Sequence, residues 1–109
     1  LISIGEQQCT VIQYVVVAGK SIRATAELII YHDTNQALLQ ALYVGVHWRN
    51  NGLGLKLQLE RERKAKGMGF QKIYLFVLKD SWMMKWYERR GFNFHEDKDE
   101  KNAWMVKLL

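Results

Sequence analysis

The chain has no proline and only one cysteine in 109 residues. Without proline there is no proline-rich linker, and no internal repeat or linker-like segment appears either, so a single domain over residues 1–109 is expected. One cysteine, Cys9, cannot form an internal disulfide, which suits a reducing cytoplasm. Cys9 sits beside a strand-like run and is expected to be a buried thiol rather than a nucleophile. No apolar run approaches the roughly 18 residues that a membrane span needs. Residues 1–5 carry no basic region and are too short for a signal sequence, and the chain lacks an initiator methionine, so its true N-terminus is expected to lie further upstream. The acidic residues between 96 and 102 read as a solvated loop tip, because adjacent carboxylates seldom converge on one ion. No metal site is expected.

What is present is apolar and basic. An apolar content of 49%, with 12% aromatic residues, excludes a disordered chain. The net charge of +5 suits an anionic partner, and charge alone does not separate a phosphate-bearing small molecule from nucleic acid.

Along the chain, residues 10–18 are rich in Val, Ile and Tyr and predict a strand, with a turn at Gly19-Lys20-Ser21. Residues 22–31 alternate, with Ile22, Ala24, Ala26, Leu28 and Ile30 on one face. Residues 37–44 are apolar on both faces apart from Gln40, which predicts a central strand closing an antiparallel meander of three. A helix comes next, to about residue 66, with Leu55, Gln58, Leu59 and Ala65 expected on its inner face and Lys56, Arg63 and Lys64 opposite. Residues 70–78 read as a strand buried on both sides, which makes strand, helix and strand a right-handed parallel crossover. A second helix is expected over 81–90, with Asp80 or Ser81 as its N-cap and Gly91 at its end. Two final strands are expected at 92–95 and 103–109.

The junction of the third strand and the first helix carries the chemistry. It reads Val44-Gly45-Val46-His47-Trp48-Arg49-Asn50-Asn51-Gly52-Leu53-Gly54-Leu55. Glycines let backbone N–H groups approach an anion, the helix start adds partial positive charge, and Arg49 offers a planar fork of donors. By itself this is either a phosphate-binding loop or a glycine-rich turn. It is not a P-loop, because no Lys-Ser/Thr comes after it, nor a Rossmann fingerprint, because Leu57 stands where the third glycine belongs.

Together with Trp86-Tyr87-Glu88-Arg89-Arg90-Gly91-Phe92 downstream, Leu42-Tyr43-Val44 and Arg49-x-x-Gly52-x-Gly54 resemble the GCN5-related N-acetyltransferases. That resemblance implies an α/β fold with a mixed, mostly antiparallel sheet around the parallel crossover, here with the family's N-terminal helices expected to be missing. It implies acetyl-coenzyme A as cosubstrate and direct transfer of acetyl to an amine. Arg49, Asn50, Asn51, Gly52, Leu53 and Gly54 would hold the pyrophosphate, and backbone groups of Leu42, Tyr43 and Val44 the pantetheine arm. Tyr87 would be the general acid. Asp80 stands where the family often has an asparagine touching the cofactor arm, and an ionised carboxylate cannot donate there. Glu27, on a strand near the expected cleft, is the candidate base, ahead of His32 and His47.

Two other readings keep less of that chemistry. One is a coenzyme-binding regulatory module without catalysis. The other is a basic nucleic-acid-binding domain using Lys56, Arg61, Arg63, Lys64 and Lys66, for which no base-reading motif is present. Trp82, Met83, Met84 and Trp86 crowd one short helix, and with Trp104 and Met105 they are expected to leave an apolar patch that a homodimer would cover.

Overall fold

A computed structural model describes residues 8–109. Residues 1–5, weighed above as a signal segment, lie outside the described residues. Strands β1 (Cys9–Ala18), β2 (Ser21–Tyr31) and β3 (Gln36–Val44) are followed by a 3-10 turn at Val46–Trp48 and helix α1 (Leu53–Gly67). Then come β4 (Lys72–Leu78), α2 (Trp82–Glu88), β5 (Asn93–Asp97) and β6 (Asn102–Leu108). The six strands form one sheet in the order β1-β2-β3-β4-β6-β5, antiparallel except for the β3–β4 pair. The meander and the parallel crossover are as expected.

Both helices lie on one face of this sheet. Leu28, Ile30, Leu39, Ile73, Leu75 and Met105 pack there against Ala65 of α1 and Tyr87 of α2, while Ala24 and Ala26 meet Leu57 of α1. The opposite face has its own smaller cluster of Ile29, Tyr31, Leu38 and Trp104, with no helix among its described members. That asymmetry corrects the expectation for β4. Its burial alternates, with Ile73, Leu75 and Val77 inside and Phe76 and Leu78 exposed. A continuously apolar strand is thus covered on one side only.

Three further expectations are corrected. The inner face of α1 is Leu57, Gln58, Arg61 and Ala65, a narrow stripe beneath the sheet, while Leu55 and Leu59 are 37% and 49% exposed. Trp104 and Met105 are buried, because β6 lies inside the sheet between β4 and β5. Cys9, at the start of the edge strand β1, is exposed.

The feature that shapes the site is an irregularity in β3. Its register against β2 shifts between Thr25 and Glu27, and Ala41 opposite takes φ +56°. Such a bulge bends a strand and re-aims the side chains beyond it. Ala37 and Leu39 face the helices before the bulge, and Leu42 and Val44 face them after it, although strict alternation would reverse the second pair. Pairing with β4 is confined to Leu38 opposite Tyr74, so β3 and β4 diverge past that point.

Candidate active site

Where β3 leaves β4, a cleft of about 730 Å3 opens, within the size range of small-molecule pockets. One wall is Leu42, Tyr43 and Val44 of β3; another is the loop and the first turn of α1, from Trp48 to Leu55; α2 closes it with Trp82, Met83 and Trp86, joined by Arg90 just past its end. No carboxylate lines it, and two arginines do.

The first turn of α1 suits an anion. Its N-cap is Gly52, at φ +79°, with no side-chain cap and no acidic residue in the first turn. The first intrahelical bond there runs from the Lys56 N–H to the Gly52 carbonyl at 3.0 Å, which leaves the N–H groups before it to solvent or a ligand. A Cβ added at Gly54 would meet Trp86 at 3.8 Å and Val44 at 3.9 Å, so the floor of the cleft narrows to ordinary contact beside this glycine. Arg49 folds back, its Nε donating to the Val44 carbonyl at 3.0 Å, and thereby ties the loop to the end of β3.

Arginine–indole pairs frame the entrance. Arg90 covers the Trp86 ring at 3.9 Å and donates from Nη1 to the Trp86 carbonyl, and Arg23 covers Trp48 at 4.0 Å. Each keeps a buried Nε with no partner among the described residues. Sequence reasoning missed Trp48, Leu55 and Arg90 as lining residues. Trp86 and Arg90 stand four apart within the helix expected over 81–90, a spacing that could have pointed to the pair, although α2 itself ends at Glu88.

The predicted residues divide. Leu42, Tyr43, Val44, Arg49, Asn50, Gly52, Leu53 and Gly54 all line the cleft; Asn51 and Asp80 do not. Asp80 sits at φ +57° just before α2, and the N-cap is Ser81, whose Oγ accepts from the Met84 N–H at 3.1 Å. Tyr87 is buried beneath the cleft, stacked edge-on against Trp86 and Phe92. Glu27 is half-buried beside the bulge, its carboxylate accepting from Gln40 Nε2 at 3.3 Å; strand alternation places it on the sheet face away from the helices. His47 lies in the 3-10 turn outside the cleft lining, and His32 pairs with Thr10 at 2.6 Å.

Arg61, considered above for nucleic acid, is fully buried. Its Nη1 donates to the carbonyls of Glu27 (3.1 Å) and Gln40 (3.4 Å), which border the bulge on either strand. Nε donates to the Leu57 carbonyl and Nη2 to Gln58 Oε1 at 2.8 Å. Gln58 in turn donates to Glu62, whose carboxylate holds Lys107 of β6 at 2.7 Å. Burial pushes the Tyr87 phenol above its ordinary value, and the Arg61 charge pulls it back.

The chain matches the model of the acetyltransferase (GNAT) family over residues 4–92, and it belongs to that family. Among solved structures it is similar to the PaiA N-acetyltransferase of Thermoplasma acidophilum in complex with coenzyme A, at 25% identity and TM-score 0.79, covering 91% of this chain and 61% of that one. An acetyltransferase of Bacillus cereus shares 21% identity at TM-score 0.79, over 100% of this chain and 80% of its own. A GNAT family acetyltransferase of Elizabethkingia anophelis with acetyl-CoA bound shares 16% identity at TM-score 0.74, over 89% of this chain and 75% of its own. The chain thus spans about three-fifths of the Thermoplasma enzyme's length. No curated protein matches it.

Proposed function

We propose that the chain is an acetyl-coenzyme A-dependent N-acetyltransferase that moves an acetyl group to an amine. The observation that carries this reading is the uncapped start of α1, which faces a cleft free of carboxylates where β3 departs from β4. Free N–H groups and a helix dipole favour a pyrophosphate, and the unpaired edge of β3 beyond Leu38 offers amide groups to a pantetheine arm as a neighbouring strand would. Arg49, Asn50, Gly52, Leu53 and Gly54 take the phosphate role, with Asn51 beside them. Asp80, outside the cleft lining, is the weakest member of the predicted set.

The thioester supplies the acetyl group: a C–N bond forms to the amine as the C–S bond breaks. Backbone N–H near Val44 faces the developing oxyanion. Glu27 takes a proton from the ammonium, directly or through water, so that the attacking nitrogen is neutral, and the second proton that the nitrogen sheds as the amide forms passes to solvent. Tyr87 gives its proton to the departing thiolate. Tyr87→Phe is expected to leave coenzyme A affinity nearly intact and to lower turnover on the order of 10²-fold, the scale of a positioned acid. Release of coenzyme A thiol over a panel of amines measures it, and a fully active phenylalanine variant would return Tyr87 to a packing role.

The burial of Tyr87 favours one second reading, a coenzyme-binding regulatory module. Nucleic acid loses support, because Arg61 is buried and Arg63 pairs with Glu60 at 3.1 Å. The reading assigns the chain to the cytoplasm, supported by its single thiol; no helix among the described residues is long and apolar enough to cross a membrane. It also includes a homodimer.

A further inference from the structure

A guanidinium buried to 0% exposure is costly unless its donors are used. Arg61 directs four of its five N–H groups to neutral oxygens, and two of the four go to the bulge between β2 and β3. The pairing there steps from Thr25–Tyr43 to Glu27–Gln40, so Ala26 has two residues, Ala41 and Leu42, opposite it. An extra residue of this kind breaks the ladder. The Glu27 and Gln40 carbonyls, one on each strand at the break, accept from Arg61 Nη1 at 3.1 and 3.4 Å. A side chain of α1 thus bridges the two strands where their own pairing is interrupted.

Arg61 is itself held in place. Its Nε donates to the Leu57 carbonyl one turn back on α1, and its Nη2 to Gln58 Oε1 at 2.8 Å. Gln58 is oriented by Glu62 at 3.0 Å, and Glu62 by Lys107 of β6 at 2.7 Å. These bonds run from the last strand through α1 to the bulge, so the direction of the guanidinium is set without a ligand.

The bulge decides which side chains β3 turns to the helices. It brings Leu42 and Val44 there, and within it Ala41 takes φ +56°, a conformation that a Cβ disfavours. A regular register would send Leu42 and Val44 to the opposite face and bring Tyr43 in their place. We propose that Arg61 is a positioning residue for the coenzyme site, its grip on the bulge fixing the edge of β3 at Leu42, Tyr43 and Val44 on which a pantetheine arm would pair. The proposal rests on the acetyl-transfer reading above. Arg61 is fully buried and does not line the cleft, so its effect passes through the carbonyls of Glu27 and Gln40.

The test is calorimetry with coenzyme A, together with amide hydrogen exchange of the ligand-free full chain. Arg61→Met removes the donors and keeps much of the bulk. Arg61→Lys keeps the charge without the planar fork, and it replaces methionine in the test should that variant fail to fold. Affinity for coenzyme A should fall about tenfold or more in folded Arg61→Met, and by less in Arg61→Lys. Exchange should quicken at Leu42, Tyr43 and Val44 while the β4–β6 pairing keeps its wild-type protection. Ala41→Gly, which tolerates positive φ, should recover part of the affinity lost in Arg61→Met. Mere packing by Arg61 predicts instead a lower melting temperature, exchange raised throughout the sheet and an unmoved affinity. Wild-type affinity in folded Arg61→Met, or in Arg61→Lys where methionine does not fold, would overturn the proposal. Wild-type protein that fails to bind coenzyme A refutes the transferase reading, whereas binding that survives intact in the variants refutes only the positioning role.

Discussion

Gly54 separates two effects that usually move together. A methyl group there meets only ordinary contacts, at 3.8 and 3.9 Å, and replacing glycine in a helix removes a backbone entropy cost of up to about 1 kcal/mol. The same methyl projects into the cleft where a phosphate is proposed to sit. Gly54→Ala is therefore expected to raise the melting temperature slightly while weakening coenzyme A binding about tenfold or more, a loss of about 1.4 kcal/mol. Thermal unfolding and calorimetry on one preparation check both signs. The glycines and Arg49 were legible in the sequence as lining of the cleft because they sit together at the start of a helix, where Gly52 takes φ +79°. Arg61 was not, because periodicity counts arginine as a solvent-facing residue, and its acceptors are carbonyls freed by a bulge. The bulge itself was hidden: alanine seldom takes positive φ, and nothing in Gln40-Ala41-Leu42 announces that Ala41 does.

Elements were legible where their pattern was strong. Alternation in β2 and the glycines around α1 marked their faces and ends, and strand, helix and strand in succession implied the parallel crossover. The two-sided burial expected of β4 failed because an apolar run states what a strand tolerates, not how many layers cover it. Helix α2 is only seven residues long, yet Trp82, Met83 and Trp86 on it form a wall of the cleft. So short a helix depends on its start. Ser81→Ala removes the hydrogen bond to the Met84 N–H and should cost roughly 0.5–2 kcal/mol. Denaturant titration measures that loss, and coenzyme A affinity should fall with it as the wall loosens. Unchanged stability would mean that core contacts of Tyr87 alone hold α2.

At the scale of the whole molecule, one sheet face carries both helices and the other carries exposed Val11, Val15, Phe76, Leu78 and Leu108. Trp82, 69% exposed, adds apolar surface at the rim of the cleft. With Trp104 and Met105 inside, the proposed homodimer rests on this surface rather than on those two residues. A symmetric partner would cover it, and sedimentation at micromolar concentration should give twice the chain mass; a clean 12.8 kDa would refute the dimer.

The central claim is that the start of α1 receives the pyrophosphate of acetyl-coenzyme A. Calorimetric titration of acetyl-coenzyme A into wild-type protein and a Gly52→Val variant, with circular dichroism to confirm the variant's fold, tests it most directly. Gly52 takes φ +79° at the helix N-cap, a conformation that valine strongly disfavours, and its open side gives a valine side chain room to stand in the path of a phosphate. The expected result is one saturable site per chain in the wild type and no measurable binding in the folded variant. Equal affinity in the two proteins, or no heat in the wild type, would contradict the claim.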